Sequence, residues 1–267
     1  MTPIGFASRA AILMISGLGL VGCAASTVDD RPVVLVLAGQ SNMVGHGRME
    51  DVDERVITIP PNVTLFIGSK LTSITGRSSF GPELTLAEEC ASAAPARELV
   101  LVKYAIGATS LFDWAPDWDA MRATITGNSH RGALYQQLMA VIEELSLTGA
   151  DIAGVLWMQG ERDAKIEEAG NEYYENIKDL IHAFRKDLNR EDLPFLMGKI
   201  NPPPERYPAR DTVRLAQFRI AEELPNVYLI ETDDLSKWDD ALHYDSEGLM
   251  ELGRRFARTL IAAESCR

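Results

Sequence analysis

The sequence predicts an α/β fold in which a parallel sheet carries helices on both faces. Three observations point to it. Apolar runs of strand length alternate with segments of helical periodicity from residue 31 to residue 262. The strongest runs are continuously apolar, the mark of strands buried on both faces. No internal repeat or low-complexity linker interrupts the alternation.

The elements follow in order. Arg31-Pro-Val-Val-Leu-Val-Leu-Ala-Gly39 reads as the first strand, ended by glycine. Val63–Ile67 is a second, weaker one. Pro82 to Ala94 is helical, with proline near the first turn. Leu99–Ala105 is a third strand, closed by Gly107. Arg131 to Leu147 carries apolar residues at 134, 138, 141, 142 and 145, which is helical spacing. Ile152–Met158 is a fourth strand, and Glu172 to Leu188 a long amphipathic helix. Phe195–Ile200 is a fifth strand, stopped by Asn201-Pro-Pro-Pro204. A helix at Thr212–Glu223, a short strand at Val227–Ile230 and a helix at Glu247–Ala262 complete the pattern.

Composition narrows the function. The 267 residues include 26 Lys+Arg against 39 Asp+Glu, a net charge of −13. That balance argues against nucleic acid, which selects clustered cations, and against a polybasic membrane patch. Hydrophobic residues make up 46%, enough for a full core. The four histidines (46, 130, 182, 243) are scattered and no cysteine pair has metal spacing, so no metal site is expected.

The N-terminus reads as an address. Arg9 is the only charged residue in 1–22, and the apolar run after it has signal-peptide length, short for a spanning helix. It ends in Leu20-Val-Gly-Cys23, which resembles a bacterial lipobox with Cys23 as the lipidated residue. The expectation is a signal peptide over 1–22, a short tether over 23–31, and one domain over 32–267. The product would be an exported lipoprotein, held at the outer membrane or facing the periplasm by its lipid anchor. An ordinary signal cleaved near Ala25, or an uncleaved anchor, is the competing reading. Export permits a disulfide between the remaining Cys90 and Cys266, although the helix-like apolar pattern around Cys90 favours a buried free thiol there.

Three strand ends carry polar residues. The first strand exits into Gly39-Gln-Ser41-Asn-Met43, where Ser41 can present its hydroxyl at the sheet edge or simply cap a helix. The fourth exits into Gln159-Gly-Glu161-Arg-Asp163, where the Gln159 amide can face developing negative charge. Before the last helix, Asp240 precedes His243 by three residues, close enough to hold the imidazole in one tautomer.

Together, in this order, these segments resemble the SGNH hydrolases. They are most similar to the carbohydrate acetylesterase branch that includes the sialate O-acetylesterase domain and acetylxylan esterase family 6. The matching segments are Gly39–Met43, Gly81-Pro-Glu83, Lys103–Leu111, Trp157–Asp163 and Asp240–His243, spread over residues 33 to about 260. The resemblance implies a three-layer α/β/α, flavodoxin-like fold with a central parallel sheet of about five strands. It implies Ser41 as nucleophile, His243 as base and Asp240 as acid. The oxyanion hole would come from the amides of Ser41 and Gly107 and the side chain of Gln159. Glu161 could support the base instead of Asp240 or beside it. Ala241 and Ala108 stand where the family commonly has glycine.

The activity implied is removal of O-acetyl groups from carbohydrates through an acyl-enzyme, with no cofactor. Trp114, Trp118 and Trp238, in expected loops, could stack on sugar faces or pack internally. Two other functions stay open: a lipid-anchored glycan-binding protein on an inactive version of the fold, and a lipase or thioesterase of the same superfamily. Neither the particular glycan nor the oligomeric state is legible.

Overall fold

The structure is a computed structural model that describes residues 31–53, 57–147 and 151–266. The signal segment, Cys23 and all but the last residue of the tether lie outside the described residues. The strands are β1 (Val33–Gly39), β2 (Gly47–Arg48), β3 (Val63–Ile67), β4 (Lys70–Thr72), β5 (Ser79–Phe80), β6 (Leu99–Ala105), β7 (Asp151–Met158), β8 (Phe195–Gly198) and β9 (Val227–Ile230). The helices are α1 (Ser41–Val44), α2 (Glu83–Ala93), α3 (Leu111–Trp114), α4 (Ala120–Ile125), α5 (Leu134–Glu144), α6 (Glu161–Ala164), α7 (Glu167–Asp187), α8 (Arg210–Glu223) and α9 (Ser246–Ala262).

The main sheet has seven strands in the order β4-β3-β6-β1-β7-β8-β9. Six are parallel. β4 folds back antiparallel on β3 at one edge, and β2 pairs with β5 in a separate ribbon. The sheet is therefore wider than the five strands implied by the family, through the short β9 and the edge strand β4. All seven residues of β1 are buried, as its unbroken apolar run requires. Helices flank the sheet: α2 packs with α9, and α7 packs with α8 and α3.

Two helix boundaries differ from the sequence reading for local reasons. Helix α5 begins at Leu134 because Gly132 is left-handed at φ 75° and ends a short turn over Ser129–Arg131. Helix α7 begins at Glu167, five residues early, and continues through Gly170. A glycine usually weakens a helix, but here a Cβ would stand 2.4 Å from Ala209 Cβ, so its absence admits the close approach to α8. Both remaining cysteines are buried thiols. The turn after α9 brings Cys266 to Cys90 of α2, with Sγ atoms 2.6 Å apart.

The chain visits β3 and β6 on one side of β1, then crosses to β7, β8 and β9 on the other. The reversal falls at β1, and the carboxyl ends of β6, β1 and β7 stand side by side there. In open parallel sheets this is where a ligand crevice forms.

Candidate active site

Ser41 sits on the turn between β1 and α1. Gly39 makes that turn: its φ is 140°, and any Cβ would press against Met158 O at 2.2 Å. The Gln40 amide then donates to the same carbonyl at 2.9 Å, locking the turn to β7. From below, Glu83 and Lys103 hold it. Both are buried, joined at 2.7 Å, and Lys103 Nζ donates to Val44 O at 2.7 Å, at the end of α1. Burial alone would raise the Glu83 carboxyl, but Lys103 and Arg77 together outweigh it and hold Glu83 ionised.

His243 comes from the loop between β9 and α9, which folds back over the sheet end. Its Nε2 lies 3.0 Å from Ser41 Oγ, and its Nδ1 lies 2.6 Å from Asp240 Oδ2. The other Asp240 oxygen accepts the amides of Leu242 and His243, each at 2.9 Å. Burial works to raise the Asp240 carboxyl. The His243 and Leu242 amides and the imidazole outweigh it and set it below the ordinary value. The three residues therefore form a continuous Asp–His–Ser relay. Ala241 inside this loop is left-handed at φ 56°, and Ala108 beside the β6 end at φ 59°. Both positions that depart from the family's glycine are ones where glycine carries no conformational cost.

The relay opens onto a cavity of about 520 Å³. Gly107 borders it, close enough that a Cβ there would lie 4.0 Å from Ser41 Cβ. His46 forms another wall, its ring centroid 4.3 Å from that of His243. Burial first, and His243 second, lower the His46 pKa, with Asp240 opposing. Arg131 and Lys165 are exposed on the cavity wall.

Two expected site residues are placed differently. Glu161 lines the cavity but does not reach His243. Its Oε1 accepts Asn42 Nδ2 at 2.8 Å, and its Oε2 is buried without a hydrogen-bond partner. Burial raises its pKa, against Asn42 and its own backbone amide. Asn42 in turn accepts the Tyr244 amide at 3.1 Å and donates to Leu242 O at 3.3 Å. Glu161 thus braces the loop carrying His243 through Asn42. Gln159 is fully buried and does not line the cavity. Its amide nitrogen donates to Thr109 O at 2.9 Å and to Asp163, and lies 3.5 Å from the Oε1 of Gln40 on the cavity wall. The tryptophans also stand back. Trp114 is fully buried with its indole on Thr109, and Trp238 is half-buried under Arg48, its indole on His46 O.

Sequence reasoning missed Asn42 and Lys103 as contributors. Lys103 had a signal, a single charge in an otherwise buried strand. Asn42 had none beyond its place after Ser41.

A model of the carbohydrate esterase family described as sialic acid-specific acetylesterase matches residues 32–262. The chain belongs to this family. A protein of Arabidopsis thaliana named as a probable carbohydrate esterase is 29% identical over 163 residues, which cover 61% of this chain and 55% of that relative. The chain thus matches little more than half of that protein's length. A solved structure of an Arabidopsis thaliana protein superposes with a TM-score of 0.70 at 24% identity, covering 86% of this chain and 98% of that one. A carbohydrate acetylesterase from Xanthomonas citri gives 0.61 at 19%, covering 84% and 54%. At these identities the two structures support the fold.

Proposed function

We propose that this chain is a serine esterase that removes O-acetyl groups from carbohydrates. The observation that carries the reading is the unbroken contact from Asp240 through His243 to Ser41 at the mouth of a cavity. His243 takes the Ser41 proton as Oγ attacks the acetyl carbonyl, and Asp240 steadies the imidazolium that results. The amides of Ser41 and Gly107 receive the oxyanion. His243 then protonates the departing sugar oxygen, leaving an acetyl group esterified to Ser41. Water, activated by the same imidazole, releases it.

Within that reading, Arg131 and Lys165 favour a sugar bearing a carboxylate, because they place positive charge on the cavity wall of a strongly acidic chain. Acetylated sialosides are such a substrate and acetylated xylan is not. A non-catalytic glycan binder has no need of the relay, so the relay argues against it.

The test is acetate release from acetylated sialosides, from acetylated xylan and from acetyl, butyryl and octanoyl p-nitrophenyl esters. Acetate release from a glycan that Ser41→Ala abolishes is the expected result. Activity surviving in Ser41→Ala, or rising with acyl length, would overturn the reading. Charge selection predicts that Arg131→Ala and Lys165→Ala raise KM for the sialoside alone. We also infer export and anchoring through Cys23, which mass spectrometry of the N-terminus tests; an unmodified start near Ser26 would refute the lipid.

A further inference from the structure

Behind the cavity, a buried carboxylate fixes the loop that carries Gly107. Asp163 lies in α6 with no exposed surface. Its Oδ1 accepts the Leu111 amide at 3.0 Å, and its Oδ2 accepts Gln159 Nε2. The second hydrogen of that nitrogen goes to Thr109 O at 2.9 Å. One carboxylate therefore holds the loop twice, directly at residue 111 and through Gln159 at residue 109. Other ties secure its remaining corners. Ile106 N donates to Gly39 O at 3.0 Å, Thr109 Oγ1 to Ile106 O at 2.8 Å, and Asn128 Nδ2 to Ala108 O. These bonds use groups of residues 106, 108, 109 and 111 and do not involve the Gly107 amide.

The two ends of a glutamine amide are nearly equal in shape, so something must decide which faces Thr109. Above about pH 7 the Asp163 carboxyl is ionised and only accepts hydrogen bonds, as its Oδ1 does from Leu111 and its Oδ2 from Gln159. It draws the NH2 end of Gln159 toward itself, and the same NH2 group then meets the Thr109 carbonyl. The Gln159 oxygen is left buried without a hydrogen-bond partner, as expected if Asp163 dictates the orientation. Turning the amide over would set its oxygen against two acceptors.

We propose that Asp163 is a positioning residue of the esterase: it orients Gln159 and so keeps the Gly107 amide where the oxyanion forms. The proposal rests on the esterase reading above, but Asp163 touches no reacting atom. Asparagine at this position would keep one oxygen for Leu111 and turn an NH2 group toward Gln159. Gln159 would answer with its oxygen, and Thr109 O would lose its donor.

The experiment measures kcat and KM for p-nitrophenyl acetate above pH 7, where Asp163 is ionised, with melting curves, in Asp163→Asn and in the double variant Asp163→Asn/Gln159→Glu. In the double variant, a protonated acid side chain at 159 can accept from the asparagine and donate its O–H to Thr109 O. The single variant is expected to lose ~10–100-fold in kcat, comparable to loss of one oxyanion donor or somewhat less, with KM within threefold. The double variant should recover at least half of that loss on a logarithmic scale. Unchanged kcat in a folded Asp163→Asn protein, a lower melting temperature with kcat intact, or no recovery in the double variant would each overturn the proposal. Should Asp163→Asn fail to fold, Gln159→Met, of similar shape and without the hydrogen bonds, must show the same kcat loss at constant KM; full kcat there also overturns it. If wild-type protein shows no Ser41-dependent hydrolysis, the esterase reading itself has failed, which is a separate result.

Discussion

Asp240 and Glu161 are two carboxylates near one imidazole, and their surroundings assign them different work. Asp240 is 43% exposed, accepts two backbone amides and the His243 ring, and is held ionised. Glu161 is buried, spends one oxygen on Asn42, and burial raises its pKa. A carboxylate meant to stabilise a developing imidazolium must be charged and in contact with it. Only Asp240 meets both conditions. Proximity to a base is thus a poor guide to a carboxylate's role, and the donors around it are a better one.

The sharpest way to break this comparison is Asp240→Asn, which leaves the shape but removes the charge. A loss of ~10³–10⁴ in kcat is expected, as for the acid of other serine triads, read with p-nitrophenyl acetate. Glu161→Gln should cost far less, about tenfold, because a glutamine oxygen can still accept from Asn42. Reversal of that ranking would hand Glu161 the acid's role.

A third test uses stability. Burial holds Asp163 protonated up to about 7, whereas an ordinary aspartate releases its proton near 3.8. Between those values the folded chain keeps a proton that the unfolded chain has lost. Its contribution is therefore full below 3.8 and fades as pH rises toward 7. Asp240 and Glu83 have lowered values, so their contribution has the opposite sign: present above the ordinary carboxylate range and lost as pH falls. Melting temperature should decline on both sides of a maximum in mild acid. In Asp163→Asn the decline toward neutral pH should flatten while the acid side persists. An unchanged neutral slope would refute the assignment.

The smallest effect belongs to the Asp240 loop. Ala241→Gly relieves a left-handed alanine, worth about 1–2 kcal/mol, less the extra freedom glycine has when unfolded. A rise of about 1–3 °C in melting temperature is expected for a chain this size. A fall would show that neighbouring contacts absorb the strain.

Much of this was legible beforehand. Strands β1, β6 and β7 announced themselves by unbroken apolar runs, and Asp240 with His243 by a spacing that makes their contact local. The one-turn helices α3 and α6 were not legible, since four residues cannot display a 3.6-residue period. Nor was the direction of Gln159. That depends on Asp163 and Thr109, which meet it only once β6 and β7 stand on either side of β1. The resemblance supplied Ser41 and Gly107, while Glu161 and Gln159 needed coordinates because each is steered by a neighbour rather than by its own position in a motif.

The contact between His243 and Ser41 joins residues 202 positions apart. A chain emerging from the ribosome carries its serine early and its base nearly last. Under the proposed mechanism, the serine has no partner to draw its proton until the final segment has been made and folded back over the sheet. On that mechanism synthesis acts as a safety catch: a truncated product, even one that folds most of the sheet, would be chemically silent.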